Sequence, residues 1–212
     1  FAQTEPKLVF TQQEKKQGEK ILSTLGFKPG KDWFVCIFAR DSAYLSKTFP
    51  DNDWSYHNIR NMDINSFKLA TEMLLEQGAW IFRIGNIVEK PMEISHKRFV
   101  DYPFSTLRSD FMDIYLSAKC RFCVTTGTGL DSVSMIFRRP IVYVNISPLG
   151  AINTSRKEFI NLTKKHVWKG TGRELTMSEI FENGLGLVNY TDDFESRGVK
   201  VIERTPEEIH DV

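Results

Sequence analysis

Apolar runs and helical periodicity alternate along the chain and predict its elements. Four runs rich in β-branched and aromatic residues contain few polar positions, as expected for strands buried on both faces of a sheet. The predicted strands span residues 33–39, 79–84, 120–125 and 141–146. The segments between them carry apolar residues three and four positions apart, which is typical of amphipathic helices. The predicted helices span residues 11–25, 63–77, 109–118 and the stretch from the turn at 127–129 to about 137.

Cap and turn residues mark the ends of these predicted helices. Thr11 and Glu14 form a capping-box pattern at the start of the first helix, and Gly26 is suited to end it. Asp63 can cap the second helix, and Gly78 can end it. Strands that alternate with helices of about ten to fifteen residues predict βαβ units. The predicted fold is therefore α/β, a Rossmann-like parallel sheet flanked by helices.

The composition is that of an ordinary globular domain. The chain has 212 residues, of which 41% are apolar and 26% charged, and no repeat or linker divides it. We therefore predict a single domain over residues 1–212. Because the chain begins at Phe1 and ends in a helix-like segment, we expect it to be part of a longer protein.

Charge and hydropathy argue against two classes of partner. The 28 basic and 27 acidic residues nearly cancel, which removes the electrostatic case for a nucleic-acid binder. No apolar run approaches the roughly 20 residues that a membrane-spanning helix needs, so we predict no transmembrane segment. The three cysteines lie in apolar, strand-like segments and suit a reducing compartment. The predicted location is the cytoplasm, with peripheral association at the inner face of the membrane left open.

Candidate metal ligands are few. Cys120 and Cys123 have the spacing of half a zinc site, but no second pair of that kind occurs, and Cys36 stands alone. Asp51 and Asp53 imitate a metal-binding Asp-x-Asp motif, yet they follow a proline in a polar loop, which favours a solvated turn. We therefore predict neither a bound metal nor a cofactor.

The turn after the strand at 120–125 carries the most informative motif. Its two glycines allow the backbone to approach a ligand, its two threonines add hydroxyl groups, and the amides at the start of the next helix can donate to phosphate. A tight strand-to-helix connection, with glycine for packing, is the alternative interpretation. The predicted ligands are Thr126, Gly127, Thr128 and Gly129 for phosphate and Asp131 or Ser132 for a ribose hydroxyl.

Arginines near other strand ends strengthen the case for an anionic ligand. Arg40 and Arg83 stand where the strands at 33–39 and 79–84 leave the sheet, and Arg60 precedes the predicted helix at 63. A guanidinium can bind a phosphate or a carboxylate through two parallel hydrogen bonds, although a structural ion pair is the alternative for each arginine.

Two candidate general bases lie close to these arginines in the sequence. Asp41 directly follows a buried strand, where partial burial can tune its pKa, and His57 lies in the long loop before Arg60. We interpret Asp63 as a helix cap rather than a ligand.

The stretch from residue 120 to residue 145 resembles the C-terminal, nucleotide-sugar-binding half of GT-B glycosyltransferases. Its strand, Thr-Gly-Thr-Gly turn, helix and Pro-led strand follow the order of the heptosyltransferase-like pattern. The wider stretch 34–149 is similar to a group of bacterial surface-polysaccharide glycosyltransferases, through motifs at residues 40–44, 56–63, 82–85 and 101–105. Residues 58–63 also resemble the His-x-Arg-x-x-Asp signature of fucosyltransferases, with Asn58 in place of the histidine.

This resemblance implies a glycosyltransferase, or its donor-binding domain, that moves a sugar from a nucleotide sugar to a bacterial surface glycan. It implies one half of a GT-B architecture, with a glycan or lipid-linked acceptor and a second, acceptor-binding domain as partners and no required divalent metal. A nucleotide-sugar epimerase of the same fold and a noncatalytic nucleotide- or glycan-binding scaffold module are the alternatives. The assigned nucleotide-sugar ligands are Arg60, Arg83, Gly85, Thr126, Gly127, Thr128, Gly129, Asp131 and Ser132, and the predicted catalytic residues are Asp41, Arg40 and His57.

Overall fold

Six parallel strands form the central sheet of the computed structural model, which describes residues 4–212. The strands are β1 (Phe34–Phe38), β2 (Trp80–Ile84), β3 (Phe99–Asp101), β4 (Phe122–Thr125), β5 (Ile141–Ile146) and β6 (Phe159–Thr163). Their order in the sheet is β3-β2-β1-β4-β5-β6, and every neighbouring pair is parallel. The predicted α/β, Rossmann-like fold is confirmed.

The sheet separates two apolar layers, as the side chains of β1 show. Phe34, Cys36 and Phe38 belong to one buried cluster, whereas Val35 and Ile37 belong to a second cluster. Because successive side chains of a strand point to opposite faces, a strand with apolar residues at every position must be covered on both sides. All five residues of β1 are buried.

Helices cover both faces of the sheet. Helices α1 (Gln12–Ser23) and α4 (Asp110–Lys119) contribute to the cluster that contains Phe34, and helices α3 (Lys68–Glu76) and α8 (Pro206–His210) contribute to the cluster that contains Val35. The remaining α-helices of the described chain are α2 (Ala43–Thr48), α5 (Asp131–Ile136), α6 (Met177–Glu182) and α7 (Thr191–Ser196). No helix within residues 4–212 combines the length and the apolar character needed to cross a bilayer.

The predicted caps are present. Thr11 and Glu14 form the capping box of α1, because each side chain accepts a hydrogen bond from the backbone amide of the other. The Asp63 carboxylate accepts a hydrogen bond from the Asn65 amide at 2.9 Å and caps a 3₁₀ helix, Ile64–Phe67, that leads into α3. The interpretation of Asp63 as a cap is confirmed.

Several elements were not predicted from the sequence. The polar stretch at 40–62 contains α2 and a second 3₁₀ helix, Ser55–Arg60, and the two outermost strands, β3 and β6, were not recognised. Cys120 ends helix α4 rather than beginning a strand, since β4 starts at Phe122. Residues 165–202, which we call the C-terminal unit, form an antiparallel pair, β7 (Lys165–Trp168) and β8 (Val199–Ile202), together with α6 and α7.

Strands β1 and β4 are neighbours in the sheet although they are distant in the sequence. From β1 the chain adds β2 and β3 toward one edge, and from β4 it adds β5 and β6 toward the other. The direction of winding therefore reverses between β1 and β4. In open parallel sheets, ligands bind in the crevice outside the carboxyl ends of the strands at such a switch point.

Candidate functional site

A cavity of about 470 Å³ opens at the switch point. Three loops line it: residues 38–41 at the end of β1, residues 84–88 at the end of β2 and residues 128–130 after β4. These are the three strand ends that the sequence predicts at a common edge of the sheet. The structure therefore brings the candidate loops together around one space.

The glycine turn after β4 is held by its own side chains. Gly127 has a φ of +78°, and a Cβ atom there would lie 3.3 Å from Cδ1 of Ile146, so the turn requires glycine at this position. Oδ2 of Asp131 accepts hydrogen bonds from Oγ1 of Thr125 at 2.7 Å and from the Thr128 amide at 2.8 Å. Oγ1 of Thr125 in turn accepts from the Gly127 amide at 3.0 Å. The amides of Gly127 and Thr128 are thus already used inside the turn.

The other predicted ligands of this turn differ in their hydrogen bonds and in their exposure. Oγ1 of Thr126 accepts a hydrogen bond from the Arg40 amide at 2.8 Å, which ties the turn to the loop after β1. Oγ1 of Thr128 is buried and has no hydrogen-bond partner among residues 4–212. A Cβ atom at Gly129 would meet no atom within 4 Å, so the backbone is accessible there, and Ser132 lies half-buried in the first turn of α5. The accessible positions for a ligand are therefore Gly129 and Ser132, whereas the Thr128 hydroxyl is unpaired within residues 4–212 but buried.

Two half-buried arginines flank the glycine turn without a direct ion pair in the described chain; Arg40 lines the cavity, and Arg60 lies outside its lining. Nη2 of Arg60 lies 3.5 Å from the carbonyl oxygen of Gly127, and neither Arg60 nor Arg40 forms an ion pair with a carboxylate in the described chain. Burial and the positive charge of Arg60 lower the pKa of Arg40, and the buried Nε of Arg40 has no hydrogen-bond partner among residues 4–212. For Asp131, burial raises the pKa, and the hydrogen bonds from Thr125 and Thr128, followed by the charge of Arg60, partly oppose that rise. Two cations that repel each other favour an anion between them.

Arg83 and Gly85 have structural roles in this arrangement. The Arg83 side chain is 1% exposed, does not line the cavity, and forms an ion pair with Asp101 of β3 at 3.0 Å. A Cβ atom at Gly85 would lie 2.7 Å from Val88 and 3.3 Å from Pro103, so this glycine allows close packing of the loop after β2. Arg83 is therefore used in an ion pair away from the cavity, whereas Gly85 lines the cavity and its contact with a diphosphate stays a prediction.

Asp41 lies at the cavity, but its carboxylate organises the backbone. Oδ1 accepts a hydrogen bond from the Ala43 amide, and Oδ2 accepts one from the Glu89 amide, both at 3.0 Å. These bonds hold the start of α2 and the loop after β2 against the end of β1. A catalytic role for Asp41 would have to use the lone pairs that these amides leave available.

His57 lies in the 3₁₀ helix Ser55–Arg60, near both unpaired arginines. Burial and the charges of Arg40 and Arg60 lower the pKa of His57, which therefore holds the neutral imidazole near pH 7. Nδ1 of His57 is buried and forms no hydrogen bond in the described part of the protein. A neutral imidazole beside an anion site can accept a proton from a reacting hydroxyl.

An aromatic belt that sequence analysis missed extends from His57. We use this name for Phe49, Trp54, Tyr56 and Tyr190, whose neighbouring ring centroids lie 5.3–6.1 Å apart. Phe49 and Tyr190 are about half exposed. The density of aromatic residues between 49 and 57 was a usable signal, but only the tertiary structure brings Tyr190 to them from the segment before α7.

A second cavity of about 460 Å³ lies between the segment 58–64 and the C-terminal unit, and Asp41 borders both cavities. Lys164, which is 4% exposed, lines this second cavity and donates a hydrogen bond to the Asn61 carbonyl at 2.6 Å. Burial lowers the pKa of Lys164, and the nearby Glu203 opposes that effect. The contact ties the 3₁₀ segment to the start of the C-terminal unit.

The candidate metal ligands form no metal-binding group in the described chain. Within residues 4–212, no three His, Cys, Asp or Glu side chains are grouped so that they could hold a metal ion. Asp51 and Asp53 are exposed, and the Asp53 carboxylate accepts a hydrogen bond from the Ser55 amide at 2.8 Å, as in a solvated turn. Cys36, Cys120 and Cys123 are buried thiols in one core cluster.

Comparison of the chain with protein-family models, with curated proteins and with solved structures found no match.

Proposed function

We propose that the chain binds a nucleotide sugar at the switch-point crevice and acts as a glycosyltransferase, or as the donor-binding domain of one. The observation that carries this proposal is the pair Arg40 and Arg60, which flank the glycine turn and form no ion pair with any carboxylate of residues 4–212. A diphosphate bound beside Arg40 would bring negative charge to two guanidiniums that form no direct ion pair within residues 4–212. The resemblance of residues 120–145 to nucleotide-sugar-binding domains supports the identity of the ligand.

The proposed reaction is transfer of the sugar to an acceptor hydroxyl. The acceptor oxygen forms a bond to the anomeric carbon, the bond from that carbon to the diphosphate breaks, and the nucleoside diphosphate leaves. Arg40 and Arg60 stabilise the charge that develops on the leaving phosphate, which a preorganised pair of guanidiniums can do without a divalent metal. His57, as the neutral imidazole, receives the proton of the acceptor hydroxyl, and Asp41 is the second candidate for this role.

Calorimetry with nucleoside diphosphates and their sugars tests the proposal. We expect Arg60→Gln to weaken diphosphate binding by about 1.5–3 kcal/mol and to leave binding of the corresponding nucleoside almost unchanged, because the lost contact is a charge-assisted bond to phosphate. Arg121→Gln is the control for the loss of positive charge, since the exposed Arg121 side chain lies over the Trp33 ring just before β4, at the end of the strand opposite the cavity. Equal losses for nucleoside and diphosphate would exclude Arg60 from a phosphate site.

A noncatalytic binding module is a second candidate, and one observation favours it. Both carboxylate oxygens of Asp41 accept hydrogen bonds from backbone amides, as a structural residue would. Tight binding of a nucleotide sugar without transfer to any acceptor, and without hydrolysis to free sugar, would support this candidate over the enzyme.

A further inference from the structure

The second cavity lies directly beside the switch-point crevice, and the two are of similar size. It measures about 460 Å³, against about 470 Å³ for the crevice. Both volumes are within the range of about 300–1,000 Å³ that small-molecule sites in proteins occupy. Asp41 lines both cavities. A ligand in the second cavity would therefore lie next to a ligand in the crevice, with Asp41 between them.

The second cavity is built where two parts of the fold meet. One wall is the segment 58–64, and the opposite wall comes from α7 and β8 of the C-terminal unit. Buried Lys164 joins the two parts, because its Nζ donates to the Asn61 carbonyl at 2.6 Å. Oγ1 of Thr191 also donates a hydrogen bond across the junction, to the Tyr56 carbonyl at 3.2 Å. Ligand sites are frequent at such junctions, and here the walls are tied together before any ligand binds.

The charged groups of this cavity are mainly hydrogen-bond acceptors. Five separate segments contribute carboxylates, which are Asp41, Asp63, Glu89, Glu195 and Glu203. Three of them form ion pairs within the fold, namely Asp63 with Lys90 at 2.8 Å, Glu195 with Lys169 at 3.5 Å and Glu203 with Lys164 at 3.7 Å. Only three lysines line the cavity, so its formal charge is negative. A carboxylate with one internal partner keeps unused lone pairs, which favours a ligand that donates hydrogen bonds and disfavours an anion.

Apolar side chains complete the wall of the second cavity. They are Ile59, Met62, Ile64, Phe194, Val199 and Val201, and each belongs to a buried cluster or packs against one. A saccharide ring carries hydroxyl donors around its rim and C–H groups on its faces. It can therefore donate to the carboxylates while its faces cover the apolar atoms. The lining as a whole fits a neutral saccharide.

We propose that the second cavity binds a neutral saccharide, which is the acceptor of the proposed transfer reaction. This inference rests on the proposed function, because it takes the crevice as the site of the nucleotide sugar. It places the two substrates on either side of Asp41, with an acceptor hydroxyl directed toward the crevice. A transferase must hold its substrates in contact, since positioning supplies much of the rate. At least part of the acceptor would then be held by this chain rather than by a second domain.

NMR titration with single sugars, in the absence of a nucleotide, tests the second cavity. The neutral probes are the methyl glycosides of glucose, galactose, mannose and N-acetylglucosamine at millimolar concentrations, and the backbone amide resonances report where each one binds. We expect at least one probe to shift the amides of residues 58–64 and 199–203 and to leave Gly129, in the crevice, unshifted. The uronic acid of the same sugar replaces a hydroxymethyl group by a carboxylate. It should bind more weakly, because the lining is negatively charged.

Glu89→Ala tests the carboxylates of the lining. Glu89 is exposed in the loop after β2, lines the second cavity and accepts a hydrogen bond from the Ser42 hydroxyl. We expect the variant to bind the neutral sugar about fivefold more weakly, because one acceptor is lost. Glu93→Ala is the matched control, since Glu93 is an exposed carboxylate of the same loop outside the cavity lining. Equal affinities of the two variants would overturn the assignment.

A separate titration with UDP, GDP and ADP distinguishes the failure of this inference from that of the proposed function. A nucleotide that shifts the Gly129 amide, while no sugar shifts the amides of the second cavity, would overturn the acceptor site and leave the donor site intact. Sugars that shift those amides, while no nucleotide shifts Gly129, would overturn the proposed function and leave a saccharide-binding site. If neither kind of ligand shifts its amides, both proposals are overturned.

Discussion

The turn after β4 and the 3₁₀ helix Ser55–Arg60 lie against each other, but they use their polar groups in opposite ways. In the turn, Asp131, Thr125 and the amides of Gly127 and Thr128 are joined in one hydrogen-bonded set. In the 3₁₀ helix, the Arg60 guanidinium makes only a 3.5 Å contact with a carbonyl, and Nδ1 of His57 makes no bond among the described residues.

This difference indicates that the turn after β4 shapes the crevice, whereas the groups available to a ligand come from the neighbouring segment. A polar group that is satisfied within the fold gains little from a ligand, whereas a partly buried cation without a counter-ion gains a great deal from an anion. The turn with the most distinctive sequence therefore supplies the form of the crevice. The 3₁₀ helix and the loop after β1 supply the positive charge, through Arg60 and Arg40.

Replacing Asp131 by alanine tests the structural half of this comparison and should have the largest effect. The substitution removes the acceptor for the Thr125 hydroxyl, which is fully buried, and for the Thr128 amide. We expect a loss of about 2–3 kcal/mol in the free energy of unfolding, measured by urea denaturation. Ser132→Ala, one residue further along the same helix, should change stability by less than about 0.5 kcal/mol. Similar stabilities for the two variants would show that the turn does not depend on Asp131.

Alanine substitutions at the two glycines of the turn should have smaller effects on stability, and the two effects should differ from each other. Gly127 has a positive φ and its Cβ position faces Ile146, whereas the Cβ position of Gly129 is open. We expect Gly127→Ala to cost about 1–2 kcal/mol in unfolding free energy and Gly129→Ala less than about 0.5 kcal/mol. Chemical denaturation of both variants under identical conditions measures the difference. A Gly129 variant as unstable as the Gly127 variant would mean that both glycines are needed for the fold of the turn.

The main strands of the sheet were predictable because burial on both faces leaves a clear signature. Strand β5 was predicted at its observed limits. Both ends of β1 and the start of β2 differ from the prediction by one residue, and the end of β2 was predicted correctly. Strand β3 has three half-buried residues at the edge of the sheet, and no pattern of alternation can develop over so short a length. Helices were predicted where caps and periodicity agree, as at Thr11 and Asp63.

The candidate site was less predictable because it depends on pairings between distant segments. Arg83 ends a strand, which suggested a ligand contact, but its partner Asp101 belongs to the unrecognised strand β3. Because strand β3 was not predicted, the sequence could not show whether Arg83 forms a buried ion pair or binds an anionic ligand. Arg60 faces Gly127 only because the chain folds a long loop back over the edge of the sheet.

The smallest expected effect concerns the aromatic belt. Its exposed rings could stack on part of a ligand, in addition to the charge that the arginines provide. Tyr190 is half exposed, and its ring lies 5.3 Å from that of Tyr56, next to His57 and the arginines. If a nucleotide sugar extends from the arginines over this ring, Tyr190→Ala should weaken its binding by about 0.5–1.5 kcal/mol, whereas Tyr190→Phe should not. Calorimetry with inorganic pyrophosphate should show no loss of affinity in either variant, because that ligand has no ring to stack.

Phe181→Ala, which removes an exposed ring from α6, controls for the general loss of aromatic surface. An equal loss for pyrophosphate and the nucleotide sugar in Tyr190→Ala would show that the ring supports the arginines rather than the ligand.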